Sequence, residues 1–301
     1  MGRTLTFDEL FTADFLSALT ALSLVAKRVA AGGRHGERLS KDLGSGVEFK
    51  DYRPYSAGDD LRAIDWNVYR RLGKLSLRLF EEQQNLPLYV LPDVSESMFI
   101  ESPPRIVAAV RITLALAAVG IEQHDSAGVF PFAEELQVLF KAISGRAGVM
   151  AIAQRLAHLV AVGSAGRTDL IGAIDTIGHM KLRPGLVVVI SDFFDPRGLS
   201  ALRSALEGLR HRLLLVQLIR ASDTNPEYGG DVRLEDCETG ELLDLTISPD
   251  ILERYRAAYT SFQGELEQLA SALGSHLLRI DVERDVVEQL ALLFDDGALR
   301  L

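Results

Sequence analysis

Residues Leu86 to Met98, LPLYVLPDVSESM, constrain the fold more than any other stretch of the chain. An apolar run of this length fits a strand buried on both faces of a parallel sheet, and it ends abruptly in Asp93, Ser95 and Ser97 at alternate positions. Open α/β sheets place their ligand sites just past the carboxyl ends of such strands. A spacing of two in an extended loop points the three side chains the same way, so one carboxylate and two neutral oxygens can converge on a single hard cation. The same residues also read as a strand ending in Asp, followed by serines that cap the next helix. D-x-S-x-S alone is short enough to arise by chance.

From Leu86 onward the pattern alternates. A helix is expected from about Pro103 to Glu122 with proline in its first turn, then strands at Ser126 to Phe132 and Leu136 to Phe140. Helices follow at about Gly148 to Ala161 and Leu170 to Lys181. A second fully apolar strand, Gly185 to Ile190, leads into Ser191, Asp192 and Asp195. A helix at Leu199 to Leu209 precedes a third apolar strand at Arg212 to Ile219. This alternation implies an α/β fold with a doubly wound, mainly parallel sheet and right-handed crossovers. Asp231 to Ile247 reads as a β-hairpin turning about Glu238 to Gly240 and inserted near an edge. A helix from Pro249 to about Leu273, a strand at His276 to Asp281 and a helix at Asp285 to Phe294 complete the sheet.

Upstream, Asp8 to Ala31 has the spacing of an amphipathic helix, stopped by Gly32 and Gly33. Arg34 to Gln84 is dense in glycine, aromatics and charge, with short strands expected near Val47 to Tyr52 and Leu75 to Phe80. The division expected is therefore 1–85, an N-terminal helix with a small β-rich subdomain, and 86–301, the α/β domain. Within the subdomain Arg53, Asp59, Asp60, Arg62, Asp65, Arg70 and Arg71 balance in sign around Trp66, the single tryptophan. They form either a solvated network of ion pairs or a partner-binding surface.

The formal net charge of −10 argues against a broad nucleic-acid surface and suits a cation site or basic partners. Cys237 is the single cysteine, so no intrachain disulfide forms and a reducing compartment is expected. Asp8, Glu9 and Asp14 stand where a signal peptide would be basic. Ile106 to Ile121 contains Arg111 and is short for a bilayer span. A cytoplasmic protein without membrane insertion is the expectation.

Other loops of the same sheet edge enlarge the candidate site. GSAGRTDL carries Thr168 and Asp169 ahead of a helix, and the strand through Ile190 delivers Asp192. Asp93, Ser95, Ser97, Thr168 and Asp192 then form an oxygen set suited to Mg²⁺ or Mn²⁺, with water completing an octahedron. Zinc would call for His and Cys, and the six histidines show no paired metal spacing. Thr168 also reads as a cap beside Asp169, and Asp192 as a strand end.

In these residues the chain resembles a known arrangement. DxSxS, a Thr in a later loop and an Asp after a buried strand are similar to the metal-ion-dependent adhesion site of von Willebrand factor A domains. GSGVEFKDYRPYSAGDDLRAIDW and the run through RLGKLSLRLFEE to the DVSES loop resemble the domain-of-unknown-function 58 (DUF58) family, over about Gly44 to Met98. The resemblance implies a vWA-like fold and a cytoplasmic partner of MoxR-type AAA+ ATPases, whose genes commonly neighbour such proteins. Glu96 departs from the pattern, which usually has a small residue between the serines. The membrane helices of many relatives have no counterpart in the sequence.

Binding, not turnover, is the chemistry expected. Hydroxyl donors are neutral, so a cation held by them stays electrophilic toward an outside oxygen, such as a partner's glutamate or aspartate. The alternative is a Mg²⁺-dependent phosphohydrolase using Asp93 as nucleophile. Haloacid-dehalogenase-type phosphatases place a second Asp two residues on, where this chain has Ser95. A nucleotide-binding role lacks its motif: neither G-x-x-x-x-G-K-[ST] nor a strand-linked G-x-G-x-x-G is present.

Overall fold

A computed structural model of the chain describes residues 5–32, 48–56, 59, 61, 64–81, 87–122, 126–163 and 166–295. In chain order the elements begin with α1 (Phe7–Leu10), α2 (Ala13–Gly32), β1 (Glu48–Pro54), α3 (Trp66–Leu72) and β2 (Ser76–Glu81). Next come β3 (Leu88–Pro92), α4 (Arg105–Glu122), β4 (Ala127–Val129), β5 (Phe140–Ile143), α5 (Arg146–Val162), α6 (Leu170–His179) and β6 (Leu186–Ser191). The last group is α7 (Gly198–Glu207), β7 (Arg212–Ile219), α8 (Ala221–Thr224), β8 (Gly230–Glu235), β9 (Leu242–Ile247), α9 (Pro249–Ala272), β10 (His276–Asp281) and α10 (Val286–Asp295). They pack as two units, one of residues 1–32 and 86–301, the other of residues 33–85.

The larger unit is built on a six-stranded sheet in the order β10-β7-β6-β3-β4-β5, parallel throughout except for β5 at the edge. All five residues of β3 and all six of β6 are buried, which explains why these strands read as unbroken apolar runs. Alternate side chains feed two cores. Leu88, Val90, Val188 and Ile190 join α2, α4 and α10 on one face, while Tyr89, Leu91, Val187 and Val189 join α6, α7 and α9 on the other. Each such aliphatic side chain contributes about 1.5–3 kcal/mol of burial free energy. The expected doubly wound α/β fold is the observed one. Among the described residues no helix is long and apolar enough to cross a membrane.

The division at 85/86 needs correcting at its N-terminal end. Leu10, Phe11, Phe15, Leu19 and Leu22 are buried in the α/β core, so the N-terminal helices belong to the larger unit and the smaller unit begins after them. The single helix expected over Asp8 to Ala31 is two. A capping box joins Thr6 and Glu9 around α1, and the Thr12 hydroxyl accepts the Phe15 N–H at 3.2 Å to restart the helix. The strand expected at Leu136 to Phe140 begins later, as β5. Leu136 makes an isolated bridge to Phe132, and regular pairing with β4 begins at Phe140.

In the smaller unit β1 and β2 form an antiparallel pair. Between them lies α3, a helix not anticipated from the sequence. Asp65 is its N-cap, accepting from Asn67 N at 2.8 Å and Val68 N at 3.2 Å, and Gly73 ends it with φ 66°.

Candidate metal centre

The strand order turns back at β3. The chain leaves β3 for β4 on one side and later returns as β6 on the other, which opens a crevice at the carboxyl ends of β3 and β6. Asp93 leaves β3 with its N–H still on the Ile190 carbonyl of β6, at 2.8 Å, while Val94 N bonds Phe132 O at 2.8 Å beyond β4. Its carboxylate is fully buried. Oδ1 accepts the Ser95 N–H at 2.9 Å, and Oδ2 accepts the Ser191 hydroxyl at 2.8 Å. Ser95 and Ser97 bring their hydroxyls within 3.0 Å of each other. The alternate spacing thus points both hydroxyls the same way, although the backbone curls into a 3₁₀ turn over Glu96–Phe99.

Asp192 follows Ser191 at the end of β6. Phe193 takes a left-handed φ of 66°, a conformation costly for a residue with a Cβ, and its ring is buried in the core. This kink re-aims the chain at once: Phe193 N donates to Ser191 Oγ at 3.0 Å and Phe194 N to Asp192 Oδ1 at 3.0 Å.

The loop carrying Thr168 is tied to the same edge at two points. Glu96 N donates to Gly166 O at 3.0 Å, and Asp169 N to Ala133 O at 2.9 Å. Gly166 has φ 104°, which explains the glycine in GSAGRTD. Asp169, not Thr168, caps α6, accepting Gly172 N at 2.8 Å; a Cβ on Gly172 would overlap the Asp169 carboxylate. Thr168 is therefore released from capping.

Burial perturbs the two carboxyls of this edge. The Asp93 carboxyl is pushed up to about 7, first by burial and then by the charge of Asp192. The Asp192 carboxyl is raised as well, chiefly by burial, with the Arg105 guanidinium partly opposing. A divalent cation between two such groups would offset their repulsion and favour their ionised forms. Among the described residues no group of three or more His, Cys, Asp or Glu side chains is placed to hold a metal. An ion at this edge would accordingly rely on the hydroxyls of Ser95, Ser97 and Thr168 with water, a hard-oxygen set that fits Mg²⁺ or Mn²⁺.

Two residues of this edge were not assigned from the sequence. Ser191 holds Asp93, and only its place beside Asp192 at the end of a buried strand could have suggested it. Glu238 read simply as part of a hairpin turn, yet its Oε1 accepts the Thr168 hydroxyl at 2.7 Å and its Oε2 the Thr168 N–H at 3.0 Å. Nothing local marks a contact spanning seventy residues.

The charged cluster of the smaller unit divides. Arg53 pairs with Asp59 at 2.7 Å, and Asp59 also accepts Ser56 N at 2.8 Å, closing a turn. Asp65 is buried beneath its capping bonds and a 3.0 Å bond from the Tyr52 hydroxyl. These three have structural occupations, whereas Trp66 is 58% exposed and packs edge-on against Tyr69. Asp60 and Arg62 lie outside the described residues.

Comparison with known proteins places the chain among relatives without assigned activity. An uncharacterized protein of Mycobacterium bovis is 26% identical over 279 residues, covering 89% of this chain and 85% of its own. One from Mycobacterium avium is 27% identical over 124 residues, 41% of this chain and 73% of its own. Among solved structures, an aerotolerance-related membrane protein from Bacteroides fragilis overlaps 70% of this chain and 99% of its own, at 15% identity and TM-score 0.44. A von Willebrand factor type A protein from Catenulispora acidiphila overlaps 74% and 43%, at 14% identity and TM-score 0.41. The family model described as "Protein of unknown function DUF58" matches residues 51–265, and the chain belongs to that family.

Proposed function

We propose that the chain is a metal-dependent protein-interaction module without catalytic turnover, working in the cytoplasm as an adaptor or regulator for a MoxR-type AAA+ ATPase. The observation that carries this reading is the convergence of Asp93, Ser95, Ser97, Thr168 and Asp192 on one sheet edge, from three separate loops. Asp93, Ser95, Ser97 and Thr168 would hold Mg²⁺ or Mn²⁺, with Asp192 directly or through water. The bound ion supplies a Lewis-acidic position for a carboxylate from a protein partner.

The chain's own residues supply the scaffold. Ser191 orients Asp93, the Glu96 amide anchors the Thr168 loop, and the β3–β6 pairing fixes the two acids relative to each other. Exposed Trp66 and Tyr69 on α3 form a second candidate contact for the partner. Phosphoester turnover is not expected, because Ser95 occupies the position of the second acid a phosphatase of this type would use.

The test is capture of a purified MoxR-type AAA+ ATPase, in Mg²⁺ and in EDTA, by wild type and Asp93→Ala. Capture that requires Mg²⁺ and disappears in the variant supports the proposal. Capture indifferent to both contradicts the metal dependence.

A further inference from the structure

Among the described residues the hairpin of β8 and β9 is the one strand pair of the larger unit outside its main sheet, and it is exposed along most of both strands. Moving it would uncover little apolar surface. Its tip is nonetheless well shaped. Asp236 Oδ1 accepts the N–H groups of Glu238 at 2.8 Å and Thr239 at 2.9 Å, Gly240 N returns to Asp236 O at 2.7 Å, and Gly240 takes φ 70°. This turn sets Glu238 at the tip of the hairpin.

The Glu238 carboxylate ends on Thr168. Both oxygens are engaged, one by the hydroxyl and one by the amide, while Arg167 Nε donates to the Glu238 carbonyl at 3.0 Å. These bonds hold the half-buried Glu238 carboxylate at the Thr168 end of the edge.

We propose that Glu238 is a resident ligand of the Asp93 edge, a carboxylate from the chain itself in the position a partner's carboxylate would take. The proposal rests on the metal-dependent reading above and specifies its regulation. The hairpin closes the site in the free protein, and a partner presenting Glu or Asp on a projecting loop must displace it. The partner's acidic group therefore competes with an internal one of the same chemistry, and affinity is set by the difference between them. Thr168 is the shared contact, since its hydroxyl can donate to a carboxylate while its oxygen faces a cation.

The experiment uses the full chain loaded with Mn²⁺. Solvent-proton relaxation reports the water molecules bound to the ion, and acetate serves as the carboxylate probe. Wild type is expected to hold one water fewer than Glu238→Ala and to ignore acetate, whereas the variant loses relaxation on acetate addition. Glu238→Gln, which keeps size and can still bond Thr168, is expected to behave like Glu238→Ala. Equal hydration and equal acetate response in wild type and both variants, with Mn²⁺ binding abolished by Asp93→Ala, overturns the resident-ligand proposal while leaving the metal site standing. Absence of Mn²⁺ binding in every form overturns both.

Discussion

The hydroxyl of Ser191 donates to Asp93 Oδ2 at 2.8 Å, joining the carboxyl ends of β6 and β3 through two fully buried side chains. The same Oγ accepts the Phe193 N–H at 3.0 Å, so one atom holds both the first acid of the site and the kink that follows the second.

Ser191→Ala deletes both bonds. It leaves the Phe193 amide unpaired in a buried setting, and the expected loss of stability is about 1–3 kcal/mol in urea or thermal denaturation. Ser97→Ala, at a half-buried hydroxyl with one neighbour, is expected to cost about 1 kcal/mol or less.

The metal-free protein is expected to lose stability as pH rises from about 4 toward about 7. Asp93 has an ordinary value of 3.8 and a folded value pushed up to about 7, so the folded state binds the extra proton across that window. Stability is full below the lower value, declines between the two and levels off above the higher. The span corresponds to at most ~4 kcal/mol, from about 1.4 kcal/mol per unit. Asp93→Asn reduces the decline and leaves the part due to Asp192, whose carboxyl burial also raises. Denaturation midpoints measured against pH in EDTA check this, and a midpoint rising through the same window contradicts it.

Much of this was legible beforehand because burial writes itself into composition. Leu88–Pro92 and Leu186–Ser191 must be apolar on both faces, and their polar ends stand out for that reason. Local signals marked Asp93, Ser95, Ser97 and Asp192 individually. What stayed hidden was pairing at a distance: Glu238 on Thr168, Ser191 on Asp93, and the N-terminal helices on the α/β core. Helix α3 was missed for another reason. Its Asp65 cap and Gly73 stop were present, but the charges around them suggested a network, and the seven-residue apolar pattern was too short to compete.

Arg105 is a buried cation whose removal is expected to be severe. It bonds Asp223 at 2.5 Å, Glu101 at 3.0 Å and the Leu218 carbonyl at 3.1 Å. Arg105→Leu leaves Asp223 uncompensated and should cost about 3–5 kcal/mol. It also removes the charge that opposes the upward push on Asp192, so Asp192 is expected to titrate higher in the variant. Calorimetric unfolding and carboxyl titration by NMR read the two effects.

In the smaller unit Asp65 and Trp66 are adjacent but differ in kind. Asp65→Ala loses the N-cap of α3 and is expected to cost about 1 kcal/mol, seen as faster amide exchange over residues 66–72. Trp66→Ala, at an exposed ring, should change stability by about 0.5 kcal/mol or less and act instead on capture of the AAA+ partner.

Titration of Mg²⁺, then Mn²⁺, into the full chain by calorimetry tests the central claim most directly, with Asp93→Ala and Thr168→Ala alongside. The predicted result is one saturable site in wild type, abolished by Asp93→Ala and weakened by Thr168→Ala. No binding in wild type, or binding unchanged in Asp93→Ala, would contradict it.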